Sequence, residues 1–168
     1  RGGYAGAVAE LQTLDQIDLA EVPRFSTGYS EFDRVLGGGV VPGSVNLIGG
    51  QPGAGKSTLL LQVMCALSQQ MEALYVTGEE SLQQVALRAH RLGLPTDRLK
   101  MLAETSVESI LATAAKLAPR VMVIDSVQVV HCEDVPSAPG GVAQVRESAA
   151  QFTRFAKAGG ASMFLVGH

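Results

Sequence analysis

Residues 50–57 read Gly-Gln-Pro-Gly-Ala-Gly-Lys-Ser, with Thr58 and a long apolar run behind them. Glycine and proline at the mouth of a helix weaken it unless the backbone must come very close to something. A phosphate chain is such an object. Gly53 and Gly55 leave amide N–H groups open to phosphate oxygens, and the helix that begins here aims its N-terminal dipole at the anion. Lys56 adds a mobile positive charge for the β- and γ-phosphates, Ser57 a hydroxyl ligand for Mg²⁺, and Thr58 support at the α-phosphate. Gly50, Gln51, Pro52, Gly53, Ala54, Gly55, Lys56 and Ser57 together fit G-x-x-x-x-G-K-[ST], the Walker A loop. ATP and Mg²⁺ are the expected cofactors; a GTPase is disfavoured because no N-K-x-D base-recognition motif occurs in the chain.

A metal beside phosphates needs a carboxylate. Asp125 ends the apolar run RVMVID (120–125) and precedes Ser126, the Walker B arrangement, in which it orients a metal-bound water. Hydrolysis also needs a group that positions or deprotonates the attacking water. Glu79 and Glu80 directly follow the run ALYVTG (73–78), and in a parallel sheet all strand C-termini share one edge. Glu79 is the first choice for that role, with Glu80 assisting and Lys56 completing the catalytic set. The competing reading makes both acids a decoration of the next helix start, where they would favour its dipole.

Elements able to hold these groups are legible around them. Apolar runs place strands at 44–48, 73–78, 98–102, 120–125 and 161–168. Helical periodicity falls between them: 57–71, apolar on nearly every side, and 81–93, with a Ser81–Gln84 capping box and Gly93 as terminator. A third helix is capped by Thr105 with Glu108 and stopped by Pro119, and a fourth carries apolar residues at 145, 149, 152 and 156. Alternation of this kind predicts an α/β domain with a mainly parallel sheet, helices on both faces and right-handed crossovers. Residues 1–22 read as a tail or linker whose first part is mobile, and residues 23–168 as the core.

Bulk composition agrees with one packed domain. Of 168 residues, 46% are apolar and 17% charged, so disorder is disfavoured. The net charge of −3 gives no bulk reason to expect nucleic acid, so any basic contact surface must be local. Cys65 and Cys132 stand 67 residues apart without a CxxC pair, which disfavours a metal cage or disulfide framework. No signal peptide or membrane-spanning run occurs, so a cytoplasmic protein with no membrane partner is expected.

Taken together, RFSTGYSEFDRVLGGGVVPGS (24–44), GGQPGAGKSTLLLQ, LYVTGEESLQQVALRAHRLGLP (74–95), VMVIDSVQ (121–128) and VAQVRESAAQFTRFAK (142–157) closely resemble the RecA-like ATPases. Within them the closest likeness is to the bacterial RadA (Sms) family, and the EES after the second strand separates that family and KaiC-like proteins from many other P-loop families. The resemblance implies a RecA-like P-loop fold of strand order 3-2-4-5-1, truncated here after the fifth core strand. It implies a DNA-dependent ATPase of recombinational repair that promotes branch migration while moving along single-stranded or branched DNA. A homo-hexameric ring and a RecA-type recombinase partner are implied likewise. His168 then falls at the γ-phosphate sensor position. The family's four-cysteine zinc module, Lys-Asn-Arg-Phe-Gly motif and Lon-protease-like domain have no counterpart in these 168 residues. Weak activity and no ring are therefore expected of this stretch alone.

Two other function classes remain open: a nucleotide-gated ring-assembly module of the KaiC type, and a small-molecule P-loop kinase, against which stands the lack of an Arg-rich lid. His131, Cys132, Glu133 and Asp134 are wrongly spaced for a metal cluster and read as a solvated loop. The Pro- and Gly-rich segment 131–141 suits a mobile DNA-contacting element, though its acids oppose tight phosphate contact. Arg146, Arg154 and Lys157 read as a solvated or subunit-facing helix side.

Overall fold

In a computed structural model, residues 9–18, 23–49 and 54–168 are described. Parts of the expected tail (1–8 and 19–22) and Gly50, Gln51, Pro52 and Gly53 lie outside the described residues. After a 3-10 turn at Leu14–Gln16, the chain runs α1 (Ser30–Val35), β1 (Val45–Ile48), α2 (Ala54–Ser68), β2 (Ala73–Thr77) and α3 (Leu82–Arg91). It continues through β3 (Lys100–Ala103), α4 (Val107–Leu117), β4 (Val121–Asp125), α5 (Val142–Gly159) and β5 (Ser162–Val166). The strands form one sheet in the order β1-β5-β4-β2-β3, every pairing parallel. This is the expected order read from the opposite edge.

Each central strand is buried along its whole length, and alternate residues serve opposite faces. Tyr75, Val123 and Phe164 pack with Phe32 of α1, Leu60 and Met64 of α2, and Val85 and Ala89 of α3. Val76, Ile124 and Leu165 pack with Val107 and Ile110 of α4 and Phe152 of α5. A continuous apolar run thus means a strand covered twice. β1 sits at an edge of the described sheet, and its Leu47 is 74% exposed.

Several boundaries differ from expectation for local reasons. α2 begins at Ala54 and ends at Ser68, three residues earlier than expected at both ends. Its end is closed by the amides of Gln70 and Met71, which both donate to the Leu67 carbonyl. The strand expected at 98–102 is β3, Lys100–Ala103, fixed by the pairing of Leu74 with Lys100 through Thr77 with Ala103. The cap of α4 is Ser106, not Thr105: its hydroxyl accepts the Ser109 amide, while Glu108 accepts the amide of Glu133. α3 keeps its expected Ser81–Gln84 box and a left-handed Gly93.

The short α1 is held from outside. The Asp33 carboxylate accepts the Thr27 amide at 2.8 Å and the hydroxyls of Thr27 and Ser26, each at 2.6 Å. Burial pushes the Asp33 carboxyl up, but the bonds from Ser26 and Thr27 outweigh it and hold it below the usual carboxylate range. A lowered folded pKa means the stabilisation is present above the unfolded value near 3.8 and is lost as pH falls through the folded one. Asp33→Asn should therefore cost about 1–2 kcal/mol at neutral pH. The deficit should shrink below about pH 3.8, as denaturant midpoints at pH 7 and pH 3 would record.

Candidate functional site

The parallel register aligns the strand ends. Ile48 lies opposite Val166, Val166 opposite Asp125, Asp125 opposite Thr77, and Thr77 opposite Ala103. The described residues that follow meet at one edge: Gly49 after β1, Gly167 and His168 after β5, Ser126 after β4, and Gly78 to Glu80 after β2. The sheet brings together what the sequence keeps up to 120 residues apart.

Gly55, Lys56 and Ser57 lie in the first turn of α2 and Thr58 follows; the amides at the start of that turn, those of Gly55 and Lys56 included, have no partner within a helix. The Lys56 ammonium donates to the Gly167 carbonyl at 2.6 Å. The Ser57 hydroxyl donates to Asp125 Oδ2 at 2.6 Å. Tyr75, fully buried on β2, donates its phenol to the same oxygen at 2.8 Å. Burial, and then the Asp125 charge, push the Tyr75 hydroxyl far above its ordinary pKa, so it stays a donor. Asp125 Oδ1 is buried and has no hydrogen-bond partner among the described residues. A buried carboxylate oxygen without a donor, beside a serine hydroxyl at the mouth of a glycine loop, is the donor set a hard divalent cation or its bound water would use. Mg²⁺ fits these residues.

The two glutamates part company. Thr77 organises the turn after β2: its hydroxyl accepts the Glu80 amide at 3.0 Å and donates to the Glu80 carbonyl at 3.1 Å. Glu80 then points at α3, where Arg88 grips it at 2.6 and 3.0 Å. Glu79 points the other way, its Oε2 3.6 Å from His168 Nε2 and its Oε1 3.5 Å from the Ser126 hydroxyl. Both precede the Ser81 cap, so neither lies within the first turn of α3. Gly78 permits this turn, since a Cβ there would stand 2.6 Å from the Val129 side chain.

Some expected candidates are placed elsewhere. Among the described residues no group of three or more His, Cys, Asp or Glu side chains could hold a metal. The solvated reading of 131–134 needs correcting at Cys132: Glu133 and Asp134 are exposed, but the Cys132 thiol is buried in the core beside the Ser148 hydroxyl, where a small apolar side chain packs best. The loop 131–141 is anchored in its first half. Gln144 of α5, itself buried, accepts the Cys132 amide and donates to the carbonyls of Cys132, Val135 and Ser137. His131 also bonds Thr105 and Val107 through its backbone. Arg154 pairs with Glu147 at 3.3 Å on the exposed side of α5.

Sequence reasoning missed Tyr75, Arg88 and Gln144. A signal existed for Tyr75: a phenol in the middle of a strand covered on both faces must find a partner. For Arg88 and Gln144 the signal was weaker, since a polar residue within an amphipathic helix pattern does not by itself show a buried partner.

An all-parallel sheet of this order, with a glycine loop leading from its edge strand into a helix, defines a RecA-like P-loop domain. A family profile described as "AAA domain" matches residues 19–168, and the chain belongs to that family. It is 68% identical over 168 residues to the DNA repair protein RadA of Escherichia coli (strain K12), covering 99% of this chain and 36% of that protein. The RadA of Pseudomonas aeruginosa (strain PAO1) is 62% identical over 168 residues, covering 100% of this chain and 37% of that protein. With the RadA of Bacillus subtilis (strain 168) the identity is 46% over 172 residues, 100% of this chain and 38% of that protein. The chain therefore spans little more than a third of the length of these relatives. No helix among the described residues is long and apolar enough to cross a membrane.

Proposed function

We propose that the chain is the ATP-hydrolysing core of a cytoplasmic DNA-repair motor. In the whole protein it would be driven by single-stranded or branched DNA and would work as a homo-hexameric ring in branch migration beside a RecA-type recombinase. The observation that carries the chemical part is Asp125: two donors on one carboxylate oxygen, and a buried second oxygen left for a cation. The DNA part rests on the likeness to proteins named for DNA repair.

In this reading residues 50–58 bind the triphosphate through backbone amides, with Lys56 moving from the Gly167 carbonyl to the phosphates. Ser57 and Asp125 would hold Mg²⁺, which supplies positive charge against the negative charge that builds on the phosphates. Glu79 accepts a proton from water as the water oxygen bonds to the γ-phosphorus and the bond to the bridging β–γ oxygen breaks, leaving ADP and phosphate. Arg88 occupies Glu80 and keeps it from that role. His168, at the end of β5 beside Glu79, would register whether the γ-phosphate is present.

The test is the ATPase rate with and without single-stranded DNA, measured on the whole protein and on this chain side by side. Strong stimulation of the whole protein, with slow and DNA-indifferent hydrolysis by the chain, is expected. A DNA-independent rate in the whole protein, with nucleotide-dependent ring formation, would favour the ring-assembly module instead. Phosphate transfer to a metabolite would indicate a kinase.

A further inference from the structure

Asp125 Oδ2 has two donors of unequal permanence. The Ser57 hydroxyl sits in the first turn of α2, on a side chain free to rotate about one bond. The Tyr75 hydroxyl sits on a strand paired on both sides, and its ring is fully buried against α2 and α3. When Ser57 turns its oxygen to a cation, Tyr75 is the partner left on Oδ2. Occupying that oxygen also limits the carboxylate rotation, so that the buried Oδ1 is the acceptor left over. Arg88, clamped by Glu80 on α3, adds a positive charge whose field reaches both Tyr75 and Asp125.

We propose that Tyr75 is a positioning residue for the cation-binding carboxylate: its hydroxyl holds Asp125 in the one orientation that presents Oδ1 to Mg²⁺ or its bound water. This rests on the nucleotide-site reading above. Partners that orient a metal-binding carboxylate without touching the metal change metal affinity by about 10- to 100-fold. The structural alternative is that Tyr75 only needs somewhere to place a buried phenol. The two differ in what they predict, because a packing role would not distinguish binding with Mg²⁺ from binding without it.

Tyr75→Phe keeps the ring and removes one oxygen. ADP binding to the chain, followed with a fluorescent analogue, should be within about twofold of wild type in EDTA, whereas the Mg²⁺ concentration that half-saturates the tightening should rise about tenfold or more. An unchanged Mg²⁺ requirement, or equal weakening with and without Mg²⁺, would overturn the proposal. If wild-type binding ignores Mg²⁺, the site reading fails first, and the proposal with it. Should the variant not fold, the unmutated chain labelled with 3-fluorotyrosine decides, since it has only three tyrosines, and of the two among the described residues Tyr75 is the buried one. Fluorine NMR of the buried ring should shift when Mg²⁺ joins the ADP complex and again in Asp125→Asn, and silence in both would overturn the proposal.

Discussion

Lys56→Ala should lower ATP turnover about 100- to 1000-fold and weaken ATP binding, while leaving the thermal transition nearly unmoved. The ammonium donates to the Gly167 carbonyl at 2.6 Å, which puts its tip just past the end of β5. A unit charge about 4 Å from a phosphate oxygen, at an effective dielectric near 20, is worth about 4 kcal/mol, which is of the order of a thousandfold in rate or affinity. Losing the bond to the part-buried Gly167 carbonyl costs far less, about 1 kcal/mol. The separation between a large kinetic effect and a small thermal one is the signature to look for in steady-state rates and melting curves. Equal turnover in variant and wild type would remove Lys56 from the mechanism.

Glu79→Gln carries the second large effect. The substitution keeps size and hydrogen bonding but removes the group that accepts a proton, so turnover should fall about 10²- to 10⁴-fold with nucleotide affinity nearly unchanged. Glu80→Gln is the informative contrast. Glu80 is held at 2.6 and 3.0 Å by Arg88, with both side chains partly exposed, so its loss should loosen the β2–α3 turn and change turnover less than about tenfold. The reverse ranking, measured in single-turnover assays, would mean that the clamp opens in the working state and that Glu80 is the base.

These two glutamates mark how far the sequence could be read. The order of strands followed from the family likeness, and the apolar runs located β2 and β4 to within a residue and β5 to within two, because a strand buried on both faces leaves an uninterrupted apolar signature. Asp125 could be expected beside Ser57, since it ends the apolar run, and the structure bonds the two side chains at 2.6 Å, whereas Gly50 to Gly53 lie outside the described residues. What was not legible depends on side-chain direction. Nothing in the pair Glu79-Glu80 says that the Thr77 hydroxyl folds the turn so that one acid meets His168 and the other Arg88. The loop after Asp125 looked free because proline and glycine dominate it, yet Gln144, several residues later in sequence, ties three of its carbonyls. α1 was missed for a related reason: six residues are too few to show a period, and Asp33 supports them through a turn that precedes the helix.

A crystal structure of the chain with a non-hydrolysable ATP analogue and Mg²⁺ bears most directly on the account as a whole. It should show the triphosphate enclosed by residues 50–58, Lys56 withdrawn from Gly167, and a cation about 2.0–2.1 Å from the Ser57 hydroxyl oxygen with its water on Asp125. Nucleotide bound elsewhere, or the loop empty at saturating nucleotide with Ser57 still bonded to Asp125, would contradict it.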